Sequence, residues 1–110
     1  MNMLKSSILF FLAALAEIGG VYLIWQWQRA GKPGAFGLLG AAALFVYALI
    51  QTGQAFNFGR AFAAYGGVFI VTATLWGWWV DGLTPDSSDW LGAGICLIGA
   101  AVILWGPRGG

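Results

Sequence analysis

The sequence predicts an all-α integral membrane protein with four transmembrane helices in one domain, residues 1–110. Hydrophobic residues make up 60% of the chain and charged residues only 8%, whereas a soluble domain carries about 25% charged residues. The apolar residues also fall into four runs, approximately 7–27, 35–52, 61–80 and 90–105. Each run is close to the ~20 residues that a helix needs to cross a bilayer. Strands of a membrane β-barrel would be about half as long and would alternate in polarity.

Lys5, the apolar stretch from Ile8 and the triplet ALA at 14–16 together imitate a secretory signal with a small-residue cleavage site. Because the apolar stretch continues to Trp27 and three more runs follow, we expect this segment to remain as the first span.

Three linkers separate the runs, and their polar residues, glycines and prolines are typical of turns. They read QRAGKPG at 28–34, GQAFNFGR at 53–60 and DGLTPDSSD at 81–89. In the last linker, Ser87 or Ser88 is expected to cap the fourth helix. Asp86 and Asp89 are expected to serve the same capping role, since acids stabilise a helix N-terminus.

Glu17 is the one charged residue in the middle of any run. An acid at bilayer depth costs about 2.5 kcal/mol or more, so such residues usually face the bundle interior and mark transport pathways. Its neighbours Ala13, Ala14 and Gly20 are small and leave space for another helix or a guest. Burial in hydrocarbon favours the protonated carboxyl group, whereas a bound cation favours the carboxylate. Alternatively, Glu17 is protonated and only bonds a neighbouring helix.

The third run carries an aromatic stripe that includes one hydroxyl-bearing threonine at helical spacing. Its members are Phe62, Tyr65, Phe69, Thr72 and Trp76. Aromatic faces can stack on flat or cationic guests, and Tyr65 could donate a hydrogen bond to a carboxylate. The alternative for this stripe is ordinary packing or lipid contact.

Two features predict a homodimer. Gly92, Cys96 and Gly99 form a small-residue face on the fourth helix, which suits close helix pairing, and four spans are too few to enclose a sizeable pathway alone. The cations that set membrane orientation are divided three against two, with Lys5, Arg60 and Arg108 on one side and Arg29 and Lys32 on the other. This weak bias predicts insertion in both orientations and an antiparallel dimer.

Two charged residues at the ends of the third run are candidate gate or interface residues. Arg60 at its start is most simply an interface cation near lipid phosphate. Asp81 follows its other end, where an acid opposes the helix dipole, and could pair with Arg29 or Lys32 across the short loops.

Other function classes are excluded by composition. A net charge of +1 without a basic block gives no indication of nucleic acid binding. One cysteine and no histidine preclude a disulfide framework and a Cys/His metal site. We find no nucleophile with its base and no phosphate loop, so no enzyme and no cofactor other than the proton is expected.

Several motifs resemble the small multidrug resistance superfamily, and more closely its YnfA-like branch of bacterial four-span proteins. They are LAEIGG at 15–20, GRAFAAYGGVFI at 59–70, VDG at 80–82 and DWLGA at 89–93. The resemblance implies that Glu17 binds protons and cationic substrates in turn. Phe62 and Tyr65 stand where the superfamily has the tyrosine and tryptophan of its substrate site, and Gly92 and Gly99 keep the spacing of its dimerisation motif.

The sequence and this resemblance together predict a proton-coupled exporter of small hydrophobic or guanidinium-like cations in the bacterial inner membrane. Tyr65 would orient the Glu17 carboxylate or stack on the guest, while Trp76, Phe62 and Thr72 would shape the site. Two alternatives remain open at this stage. One is a membrane scaffold or regulatory protein that transports nothing, and the other is a passive channel for small solutes.

Overall fold

A computed structural model describes residues 3–108 of the chain. It contains four α-helices in the order α1 (Met3–Ala30), α2 (Gly34–Gln51), α3 (Phe58–Trp79) and α4 (Ser87–Trp105), with no strand in the described residues. Every one of them is long and apolar enough to cross a membrane. The protein is therefore an all-α membrane protein with four spans, as the sequence predicted.

The helices contain almost all of the predicted apolar runs, but all four begin earlier, α2 by one residue and the others by three or four. α1 begins at Met3 and ends at Ala30, so it includes Lys5 and Arg29. α3 begins at Phe58 and α4 at Ser87, three residues before the predicted runs. Hydropathy detects only the apolar part of a helix, whereas backbone hydrogen bonding continues through polar residues at the lipid headgroups.

The four helices form a row rather than a closed bundle. α1 packs against both α2 and α3, and α3 packs against α4, which gives the lateral order α2, α1, α3, α4. The described chain measures 55 × 34 × 19 Å, so the row is a thin slab. Most large apolar side chains are consequently exposed, including Phe45, Ile95 and Val102, as expected for surfaces that face lipid or a partner.

The α1–α2 contact depends on two glycines. A Cβ atom at Gly40 would lie 2.6 Å from the backbone oxygen of Gly20, and a Cβ atom at Gly20 would lie 2.9 Å from the backbone oxygen of Gly40. Real Cβ atoms do not approach backbone this closely, so the two helices can touch only because both residues lack a side chain. Such small residues are the usual means of close helix approach in membranes.

The small core lies between α1 and α3, with one residue from α4. Its buried residues are Phe10, Ala13, Ala14, Ala64, Tyr65 and Ala100. The small face that surrounds Glu17 therefore accommodates another helix at Ala13 and Ala14, both of which are fully buried. As a result, the middle of α1 lies directly against the Tyr65 turn of α3.

The N-terminus of α4 is capped by Asp86, not by Ser87 or Ser88, which are the first two residues of the helix. The Asp86 carboxylate accepts a hydrogen bond from the Asp89 backbone N–H at 2.8 Å, and the Asp89 carboxylate accepts one from the Asp86 N–H at 3.0 Å. This reciprocal pair satisfies two backbone donors at once, which a serine one position later cannot do. The capping role predicted for both acids is confirmed.

Replacing Asp86 with alanine is expected to lower the free energy of unfolding by about 1 kcal/mol, because the cap is lost while the helix remains embedded. Denaturation in mixed micelles followed by circular dichroism would measure the change. Thr84→Ala, in the same loop but outside the capping pair, is the control, and an equal loss in both variants would contradict the assignment.

Candidate functional site

Glu17 and Tyr65 are joined by a hydrogen bond at the centre of the slab. The Tyr65 hydroxyl donates to Glu17 Oε1 over 2.6 Å. Glu17 is near the midpoint of α1 and is partly buried, whereas Tyr65 is only 4% exposed. A bond of this length to a carboxylate is in the range of strong, charge-assisted hydrogen bonds. The structure thus contains the tyrosine–carboxylate bond anticipated from the sequence.

Aromatic rings hold Tyr65 in place on several sides. Its ring centroid is 6.2 Å from that of Phe10 on α1 and 5.6 Å from that of Tyr47 on α2. On α3 itself, Phe62 is stacked at 6.3 Å and Phe69 meets the ring edge-on at 5.8 Å. Ring pairs at these separations are attractive beyond their buried area. The hydroxyl therefore points at Glu17 from a ring that cannot easily turn away.

Glu17 lines a cavity of about 450 Å³ between α1 and α3, hereafter the Glu17 cavity. Its other walls are apolar and aromatic side chains with a few polar groups, namely Ile18, Val21, Tyr22, Trp25, Gln26, Phe69, Ala73, Trp76 and Asp81. Tyr22 meets the Trp76 ring edge-on at 5.5 Å. The size and the mostly apolar lining are those of small-molecule sites.

The chemistry of this cavity favours a hydrophobic cation. It has two carboxylates, Glu17 and Asp81, and several aromatic faces that attract positive charge. One of those faces already carries a cation, because the Arg29 guanidinium lies 4.9 Å from the centroid of the Trp25 ring. In the described part of the chain, no three His, Cys, Asp or Glu side chains come together in a way that could hold a metal ion.

The residues predicted for the site are distributed over more than one cavity. Trp76 lines the Glu17 cavity, and Tyr65 contacts Glu17 directly. Phe62 lines a separate cavity at the opposite end of the slab. The Thr72 hydroxyl donates to the Val68 carbonyl of its own helix at 2.8 Å, so it does not reach Glu17. Thr72 lines a third, apolar cavity of about 180 Å³.

The two candidate gate residues are far apart. Asp81 is exposed and lines the Glu17 cavity, but it forms no ion pair with Arg29 or Lys32, all three of which belong to the described residues. Arg60 is exposed in the first turn of α3, where its backbone N–H donates to the Asn57 side chain at 3.3 Å. Arg60 therefore stands at the opposite end of α3 from Asp81.

The residues of the small-residue face of α4 also differ in their surroundings. Cys96 is partly buried against α3, because a Cβ atom at Gly67 would lie 2.5 Å from the Cys96 backbone oxygen. Gly92 and Gly99 are exposed, and a Cβ atom at either would meet no other described atom within 4 Å. Cys96 thus contributes to packing inside the chain, whereas the two glycines are open to a partner.

Sequence reasoning missed Tyr22, Trp25 and Gln26 on α1 and the Tyr47 ring beside Tyr65. Trp25 had a usable signal, since Glu17, Val21 and Trp25 follow each other at four-residue spacing and share a helix face. Tyr47 had none, because its position depends on how α2 docks on α1.

Removing the Tyr65 hydroxyl by Tyr65→Phe is expected to weaken cation binding about five- to thirtyfold. The ring and its packing remain, but the carboxylate loses the partner that orients it, and one such hydrogen bond is worth about 1 to 2 kcal/mol. Binding of benzamidinium, followed by the fluorescence of the cavity tryptophans, would measure the effect. Tyr22→Phe removes a hydroxyl from the same cavity without touching Glu17, and an equal loss there would contradict the role of Tyr65.

Comparison with known proteins gives a family match over nearly the whole chain. The model of the family described as "Uncharacterised BCR, YnfA/UPF0060 family" matches residues 3–109. The UPF0060 membrane protein BH2744 of Halalkalibacterium halodurans is 61% identical over 107 residues, covering 96% of this chain and 99% of the relative.

Two further relatives extend this similarity to other bacteria. The UPF0060 membrane protein YfjF of Bacillus subtilis is 59% identical over 108 residues, 97% of this chain and 99% of its own length. The UPF0060 membrane protein sll0793 of Synechocystis is 49% identical over 105 residues, 96% of this chain and 97% of its own length. No solved structure matches the chain with statistical significance.

Proposed function

Because this chain belongs to the YnfA/UPF0060 family of membrane proteins, we propose that it exports small hydrophobic or guanidinium-like cations in exchange for protons. Its place would be the bacterial inner membrane, since relatives in several bacteria are named membrane proteins. The observation that carries the proposal is the Glu17 carboxylate at mid-helix, which faces an aromatic-walled cavity of about 450 Å³.

The exchange follows from the two charge states of one carboxyl group. As a carboxylate, Glu17 attracts a cation, whose apolar part is covered by Trp76, Tyr22 and Phe69. A proton that binds Glu17 removes the negative charge, and the cation then loses its counter-ion and leaves. Because the site holds either a proton or a cation but not both, proton entry can drive cation exit. This requires that the site changes its access from one side of the membrane to the other only when it holds one of the two ligands.

A homodimer would complete this site. The row of helices is only 19 Å thick, so one chain leaves the Glu17 cavity open on its broad side. The exposed glycines Gly92 and Gly99 provide a surface where a second copy could pack. Two copies in antiparallel orientation would place two Glu17 residues around one shared pathway.

Proteoliposomes test the proposal. The purified protein is reconstituted, a pH gradient is imposed, and uptake of benzamidinium and of other hydrophobic cations is followed against empty liposomes. We expect uptake toward the acidic side, saturation with cation concentration, and loss of uptake when a protonophore collapses the gradient.

Two results would reject the proposal in favour of its rivals. Cation flux that continues after the gradient has collapsed would identify a passive channel. Uptake no faster than in empty liposomes, across the whole panel of cations, would favour a membrane scaffold or regulatory protein.

A further inference from the structure

We infer that the Tyr65 ring is the barrier between two halves of one transport path, and that the cation proposed to bind at Glu17 enters or leaves through a second cavity beyond that ring. This second cavity, hereafter the Phe62 cavity, measures about 410 Å³ and lies where α2 ends and α3 begins. The inference rests on the proposed function, because it gives the route of the same cation.

The two cavities lie one after the other along α3 and end at opposite faces of the slab. The Phe62 cavity is lined by the first turns of α3, up to Phe62, and by the α2–α3 connection. The Glu17 cavity is lined by the second half of α3, from Phe69 onward, and by Asp81 beyond its end. At 1.5 Å per residue, only about 10 Å of helix separates Phe62 from Phe69. Tyr65 lies on this short segment.

Tyr65 lines neither cavity but contacts the walls of both. On one side, its ring centroid is 6.3 Å from Phe62 and 5.6 Å from Tyr47, which line the Phe62 cavity. On the other side, the ring lies 5.8 Å from Phe69 and the hydroxyl donates to Glu17, which line the Glu17 cavity. The Tyr65 side chain is buried, so one ring fills the space between the two cavities.

The walls of the Phe62 cavity suit the passage of a hydrophobic cation. Four aromatic side chains line it, namely Tyr47, Phe56, Phe58 and Phe62, and aromatic faces attract positive charge. Among the described residues, those lining this cavity include no charged side chain. A path must bind its solute well enough to admit it and weakly enough to release it. The cation would therefore be held at Glu17 and pass through the Phe62 cavity.

The hydroxyl–carboxylate bond connects this barrier to the state of Glu17. A hydrogen bond to an ionised group is roughly twice as strong as one between neutral groups, so the bond holds the Tyr65 ring most firmly while Glu17 is charged and empty. A proton on Glu17 removes the charge, and a bound cation competes with the hydroxyl for the carboxylate. Either ligand therefore loosens the ring, as the exchange requires of a site that changes its access only when loaded.

Passive flux tests the barrier. Proteoliposomes that carry the double variant Glu17→Gln, Tyr65→Ala are prepared without a pH gradient, and benzamidinium entry is followed. Glu17→Gln alone should show no entry above empty liposomes, whereas loss of the ring should join the cavities and allow entry. The matched control is Tyr22→Ala in the same Glu17→Gln background. It removes a ring from the wall of the Glu17 cavity but leaves Tyr65 in place, and should admit no benzamidinium.

Filling the Phe62 cavity tests the route in the otherwise unchanged protein. Ala48 is exposed and lines this cavity, so Ala48→Trp should abolish proton-driven benzamidinium uptake and leave benzamidinium binding in micelles unchanged. Ala41→Trp is the control, because Ala41 is exposed about two turns earlier on the same face of α2 and lines neither cavity. It should retain both uptake and binding. Added to the leaking double variant, Ala48→Trp should also stop the passive flux.

Tyr65→Phe tests the role of the bond, because it keeps the ring and removes only the hydroxyl. The ring should then move aside while Glu17 is empty, so part of the benzamidinium uptake should persist after a protonophore collapses the pH gradient. If uptake stops completely, as expected for wild type, control of the barrier by this bond is rejected.

The route is rejected if the folded double variant admits no benzamidinium, or if Ala48→Trp takes it up as wild type does. Equal loss of uptake in Ala41→Trp would reject it as well. If Tyr65→Ala does not fold, the two tryptophan variants decide. Failure of the proposed function looks different, because wild type would then take up no benzamidinium. Passive flux through the double variant needs no exchange at Glu17 and would still show the path.

Discussion

Glutamine in place of Glu17 is expected to reduce proton-driven cation uptake to the level of empty liposomes. The amide has nearly the shape of the acid, but it can neither carry the proton nor balance the charge of the cation. Loss of one partner of a desolvated charge pair costs about 2 to 5 kcal/mol, so cation affinity should fall at least about thirtyfold. Uptake and benzamidinium binding measured on the same preparation would provide both values.

The control for this prediction is Asp81→Asn, which neutralises the other carboxylate of the Glu17 cavity. Asp81 is exposed, and screening by solvent makes exposed charges weak partners, worth about 1 kcal/mol or less. We therefore expect less than about a fivefold loss of affinity, with proton coupling intact. The opposite result, in which Asp81→Asn abolishes proton coupling and Glu17→Gln does not, would mean that proton and cation exchange at Asp81 and not at Glu17.

Alanine at Gly40 is expected to destabilise the chain by about 1 to 3 kcal/mol, the usual cost of an added side chain in a filled contact. The new Cβ atom would fall 2.6 Å from the Gly20 carbonyl oxygen, and backbone cannot move aside as the end of a flexible side chain can. The helices α1 and α2 must then separate. Unfolding in increasing sodium dodecyl sulfate, followed by tryptophan fluorescence, would measure the loss.

Gly94→Ala is the matched control, because a Cβ atom at Gly94 on α4 would meet no other described atom within 4 Å. Both changes gain the intrinsic preference of alanine for helix, about 1 kcal/mol, so the difference between them isolates the contact. If both variants were equally stable, α1 and α2 would not be held together at these glycines.

The membrane class and the four helices could be predicted because they depend on local properties, chiefly apolar run length. The Glu17–Tyr65 hydrogen bond was also predictable, since few side chains in the spans can donate a hydrogen bond to a carboxylate. The sequence could not reveal that Phe62 and Trp76 line different cavities. Residues on one helix stripe are separated along the axis, and what each contacts depends on which neighbouring helix lies there.

Two further differences between the sequence predictions and the structure have local causes. Thr72 shares the aromatic stripe, but a threonine in a helix can bond the carbonyl four residues before it, and its hydroxyl does so here. The cavity that Phe62 lines was not predicted, because most of its walls lie where α2 ends and α3 begins, and this segment has the sequence of an ordinary polar linker.

The unequal lengths of α1 and α2 connect the site to the lipid. With 28 residues, α1 is about 42 Å long, whereas the 18 residues of α2 extend about 27 Å. A hydrocarbon layer of about 30 Å cannot match both, so α1 must tilt or extend into the headgroups. Lipids with shorter acyl chains increase that tilt. Because α1 carries Glu17 and α3 carries Tyr65, a change in this tilt would strain the hydrogen bond between them, on which the proposed exchange of proton and cation depends.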